Sequence, residues 1–92
     1  MSNIRGKSLK AIIRDVAEGY VIVNPLFLKG FDQETLRDFY AEVAKIQNEI
    51  RAERFPTRDT LAIRGRNLKL QRLFAATMII RNFARERRVS LA

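Results

Sequence analysis

Four cations stand in the nine residues RGRNLKLQR: Arg64, Arg66, Lys69 and Arg72, with no acidic residue among them. Arg58 stands a few positions upstream. A guanidinium is a planar fork that matches two oxygens at once, so this run suits phosphate or carboxylate. Gly65 between two arginines would let an anion approach the backbone closely, and a helix opening here would offer free N–H groups to it. Asn67 and Gln71 add amides that could read base edges or simply face water. Arg58, Arg64, Arg66, Lys69 and Arg72 form the candidate polyanion-binding set.

Other chemistries find little support in the residue types. The chain has no histidine and no cysteine, so the commonest general base is missing and so are disulfides and thiolate ligands. The four glycines stand singly, which leaves no phosphate loop and no dinucleotide fingerprint. Glu34, Asp38, Glu42, Glu49 and Glu53 make a rough carboxylate row, but helical-bundle metal sites want histidine and inward-facing ligands. The row reads instead as a solvated or salt-bridged stripe. We therefore expect no catalytic residue, no metal and no cofactor, and a protein that is not an enzyme.

The charge is unevenly placed. Residues 1–50 carry seven cations and seven acids, whereas residues 51–92 carry eleven cations and three acids, so the whole net charge of +8 lies in the second half. Such a field draws acidic partners: nucleic acid, an anionic membrane face or an acidic protein surface. Arginines 51, 54, 85, 87 and 88 have a plainer explanation, because cations favour the negative end of a helix dipole. Zinc-finger spacing, an aromatic RNA-binding signature and a GXXG clamp are all missing from the sequence. Charge-driven binding to the phosphate backbone fits better than reading of base sequence.

The elements that must hold these residues are helical. Leu9, Ile12, Ile13, Val16, Ala17 and Tyr20 keep the 3–4 spacing of one helix face, with Ser8 to cap the start and Gly19 to stop it. Tyr20–Val23 favours extended backbone, and Pro25 pushes Asn24 the same way, so a short extended apolar connector follows. Leu26, Phe27, Leu28 and Phe31 in it are expected to plug one end of the core. Asp32 caps the next helix, with Phe31 and Leu36 placed as a hydrophobic staple. Leu36, Phe39, Val43, Ile46 and Ile50 form its seam, and Pro56 ends it. A third helix starts at Thr57 or Asp59, or only at Asn67 if RGRN is a hinge; the hinge is the favoured reading. The expectation is one all-α domain over 1–92, with main helices at about 8–18, 32–54 and 59 or 67 to 88.

From Leu73 to Ile80 no residue is charged, and apolar groups point in almost every direction. A helix apolar all round is surrounded by protein. Three helices from so short a chain can hardly cover it, so a homo-oligomeric bundle is expected, with Leu73, Phe74, Thr77, Ile80 and Ala84 at the subunit interface. The longest charge-free stretches fall far short of the ~20 residues of a membrane span, and the N-terminal residues lack a secretory apolar core, which makes the cytoplasm the expected compartment. The leading function is a small self-associating module that binds a polyanion, nucleic acid first. The competing one is a structural or adaptor protein that assembles with itself or with an acidic partner and binds no nucleic acid.

Overall fold

The computed structural model describes residues 3–4, 7–53 and 59–91, with side chains from Ser8 onward. Apart from two antiparallel residue pairs between Asn3–Ile4 (β1) and Lys7–Ser8 (β2), the regular structure of these residues is helical. Helix α1 runs Leu9–Glu18, α2 Pro25–Leu28, α3 Gln33–Ala52 and α4 Thr60–Glu86. The three long helices pack on one another in every pairing, and α2 lies against α4. Leu28, Leu36, Phe39, Leu73 and Ile80 lie fully buried at the centre of the core.

Each helix begins on a side-chain acceptor. Ser8 Oγ accepts from the Ala11 N–H at 3.2 Å, Asp32 Oδ1 from Thr35 at 2.7 Å and Asp59 Oδ1 from Ala62 at 2.9 Å. These oxygens satisfy donors that the first turn cannot pair internally. Helix α1 stops at Gly19, whose φ of +86° is left-handed backbone that favours glycine. Helix α4 ends differently. Arg88 takes the left-handed turn (φ 57°), the Val89 N–H donates to the Ala84 carbonyl at 2.8 Å, and the chain folds back. Arg37 Nε then donates to the Ser90 carbonyl at 2.7 Å, pinning the tail to α3.

Asn24 is extended (φ −147°, ψ 171°), as the following Pro25 favours, although the connector forms no strand. Residues 22–24 are irregular, and Pro25–Leu28 makes one helical turn. The reason is local: the Phe27 N–H donates to Asn24 Oδ1 at 2.8 Å, and proline at the first helical position surrenders no needed donor. The plug forms with three of its four residues. Leu28 is fully buried, and Phe27 and Phe31 set their rings against Phe39 with centroids 6.2 and 5.3 Å away. Leu26 points outward.

The larger departure is at Gly65. Helix α4 passes straight through it as one element of 27 residues, about 40 Å long, so the hinge reading of RGRN is corrected. One glycine inside a helix costs about 1 kcal/mol relative to alanine, and its leucine, arginine and alanine neighbours are good helix formers. Only the stretch from Leu73 to Ala84 supplies buried residues from α4; its first turns, from Thr60 to Gln71, bury none. The molecule measures 44 × 26 × 21 Å, and α4 sets its long axis.

The interface expectation also changes. Leu73 and Ile80 are 0% exposed and Ala84 2% within the single chain. They belong to this chain's own core, where α1, α2 and α3 pack against α4. Thr77 is half-buried and its hydroxyl donates to the Leu73 carbonyl at 2.9 Å. Phe74 alone of the five is exposed, at 60%. Among the described residues no helix is long and apolar enough to cross a membrane.

Candidate functional site

A continuous α4 redistributes the cations of RGRNLKLQR. Residues two apart on a helix point to nearly opposite sides, so Arg64 and Arg66 cannot close on one anion around Gly65. Gly65 lacks the left-handed backbone of a phosphate-binding turn. The helix opening lies at Thr60, where Asp59 already occupies the Ala62 N–H. The anion notch inferred from glycine and a helix start at Asn67 is therefore not formed. Arg58 lies outside the described residues.

Lys69 and Arg72 share an edge of α4, and that edge faces α1. Lys69 Nζ lies 3.1 Å from Glu18 Oε1, with both side chains about half exposed. Arg72 Nη1 donates to the Ala17 carbonyl at 2.9 Å, and its guanidinium covers Gly19. These two cations close the C-terminal end of α1, where unsatisfied carbonyls and the helix dipole favour positive charge. Arg66 is half-buried on the inner side of α4 and donates to Asn67 Oδ1 at 3.3 Å. Of the described members of the candidate set, Arg64 is exposed and makes no ion pair among the described residues, whereas half-exposed Lys69 is paired with Glu18.

Arg64 begins a different line. Arg64, Asn67, Gln71, Phe74, Met78, Arg81 and Arg85 follow steps of three and four, and all are exposed. That spacing lays them along one solvent face of α4. From Arg64 to Arg85 is about 31 Å along the axis. The chain has no acidic residue between those two arginines. Arg64, Arg81 and Arg85 make no ion pair among the described residues; Arg85 donates to the neighbouring Asn82 side chain. Arg81 and Arg85 join this face although they lie outside the RGRNLKLQR run. Their signal was present as the 3–4 continuation of Arg64, hidden by the assumption of a break at Gly65.

The carboxylate row does not neutralise this ridge. Glu49 lies 3.9 Å from Lys10 and Glu42 lies 3.9 Å from Lys45, both cations of the charge-balanced first half. Among the described residues no group of three acidic, histidine or cysteine side chains is arranged to hold a metal ion. A separate apolar groove of about 320 Å³ lies between α1 and α4, walled by Val16, Val21, Val23, Ala76 and Ile79. Ile22 also lines it and is 76% exposed; Tyr20 and Leu26 stand exposed elsewhere on the connector.

The described residues form a small three-helix bundle in which an exposed face of α4 carries Arg64, Arg81 and Arg85, with no acidic residue between them in the chain. Comparison with protein-family models, with curated proteins and with solved structures found no match.

Proposed function

We propose that this chain is a non-enzymatic binding module whose outer α4 ridge holds a polyanion, nucleic acid before other anions. The observation that carries the reading is the ridge itself: Arg64, Arg81 and Arg85 exposed along one face, without a facing acid, interleaved with amides and an aromatic ring. Charge of this kind binds phosphate by releasing counterions, and it needs no pocket. Lys69 and Arg72 serve the fold and add their charge only to the general field.

Fluorescence anisotropy with labelled oligonucleotides, titrated across salt concentrations, tests the proposal. Affinity should fall with a log-log slope of roughly 2 for three single-strand phosphate contacts, at about 0.7 per contact. Changing Arg64, Arg81 and Arg85 together to Gln should flatten most of that slope. A parent protein that retains no oligonucleotide even at ~0.05 M salt would sink the reading.

One observation favours the competing class. Tyr20, Ile22 and Leu26 on the connector are each more than three-quarters exposed, and Ile22 lines an apolar groove, which suits a structural or adaptor protein that docks a partner or another copy of itself. That reading expects a solution mass above the monomer, reduced by Ile22→Glu, and indifference to oligonucleotides.

A further inference from the structure

We infer that the polyanion is a single strand and that Phe74 is the platform on which one of its bases stacks; this rests on the nucleic-acid reading of the same ridge. The other described phenylalanines are engaged. Phe27, Phe31 and Phe39 cluster at centroid distances of 5.3–6.2 Å, and Phe83 is buried with Arg87 4.6 Å above its ring. Phe74 has no ring or cation partner among the described residues and is 60% exposed. It sits near the middle of the ridge, about 15 Å from Arg64 and about 16 Å from Arg85 along the axis. Asn67 and Gln71 precede it on the same face, and Arg81 follows.

This order is what an unpaired strand needs. Cations at both ends take phosphates, the ring takes a base face, and the amides offer donor and acceptor groups to base edges. A duplex can admit a helix to its major groove, but it keeps its base faces stacked inside, so the ring could touch base edges there and not stack on a face. A second copy of this chain is a poor occupant. Laid parallel it sets Arg64 against Arg64, and laid antiparallel about Phe74 it sets Arg64 against Arg85.

The experiment compares a labelled oligothymidylate with a duplex of equal length, using the parent chain, Phe74→Ala, Phe74→Tyr and the Arg64→Gln, Arg81→Gln, Arg85→Gln triple variant. Phe74→Ala should weaken the single strand roughly 5- to 100-fold while keeping its salt slope, and leave duplex binding unchanged. Phe74→Tyr keeps a stacking face and should bind like the parent. Thermal melts by circular dichroism confirm that each variant is folded. If oligonucleotides bind but Phe74→Ala is silent, or weakens both forms equally, the stacking role is overturned and the charge reading survives. If no oligonucleotide binds while an acidic polypeptide such as polyglutamate does, the nucleic-acid reading falls and this inference with it.

Discussion

The guanidinium of Arg72 occupies the space that a side chain at Gly19 would enter: a Cβ there would lie 3.0 Å from its Cζ and 3.1 Å from Nη2. The same guanidinium donates to the carbonyl of Ala17, 55 positions away in the chain. Glycine at the end of α1 is thus favoured by its backbone angle, and the arginine lies closely over it. Gly19→Ala forces a side chain into left-handed backbone, at about 1–2 kcal/mol, and makes the Arg72 guanidinium shift by a few tenths of an ångström. A loss of about 2 kcal/mol in urea denaturation is expected. Arg72→Gln should lower stability too, by about 1 kcal/mol, because the contact is only part-buried. Its effect on oligonucleotide affinity should be small beside that of Arg64→Gln.

Gly65→Ala is expected to stabilise the protein. Nothing lies within 4 Å of the Cβ it would add, and the backbone there is ordinary helix. The gain is about 0.5–1 kcal/mol, or several degrees in Tm for a domain of this size. A drop in Tm would mean that the helix breaks at this glycine.

Ile80 and Phe74 separate core from surface on one helix. Ile80→Ala removes a fully buried side chain and should cost about 2–4 kcal/mol, and Ile80→Glu should abolish the folded state. Phe74→Ala should change stability by no more than about 0.5 kcal/mol, because most of the ring already meets water. Equilibrium urea unfolding of the variants reads both values. Loss of an assembly on charging Ile80, with the monomer still folded, would contradict the burial seen here.

Asp32 gives the pH dependence a sign. The Thr35 hydroxyl, and then the Thr35 backbone N–H, hold its carboxylate and lower its pKa from the ordinary 3.8. The charged form is therefore favoured by folding. Its contribution is fully present above pH ~4 and is lost as the pH falls through the lower folded value. Asp32→Asn keeps a capping side chain without the charge. The Tm difference between parent and Asp32→Asn should shrink from pH 5 down to pH 2, and a difference that stays constant would remove Asp32 from the account.

Much of this fold was legible because helix ends are local chemistry. Ser8, Gly19, Asp32 and Asp59 announce their roles within four residues, and the seam from Leu36 to Ile50 repeats long enough to fix one face of α3. The middle of α4 was illegible for the opposite reason. With Phe74, Met78 and Ile79 set around Leu73 and Ile80, no polar side marks the outside, and only the positions of α1, α2 and α3 decide which apolar residues are covered. The site suffered from the same loss of phase. Once Gly65 was read as a break, Arg64 and Arg81 had no common face, and the partners that claim Lys69 and Arg72 lie more than fifty residues earlier.

The unbroken run of α4 from Thr60 to Glu86 has a consequence for how quickly anything can be captured on it. A rod clamped at its C-terminal half already holds its outer side chains in file before contact, so association forfeits little backbone entropy. Encounter should then be limited by diffusion and by the long-range pull of the arginines, with an on-rate that rises steeply at low ionic strength and no slow ordering phase behind it.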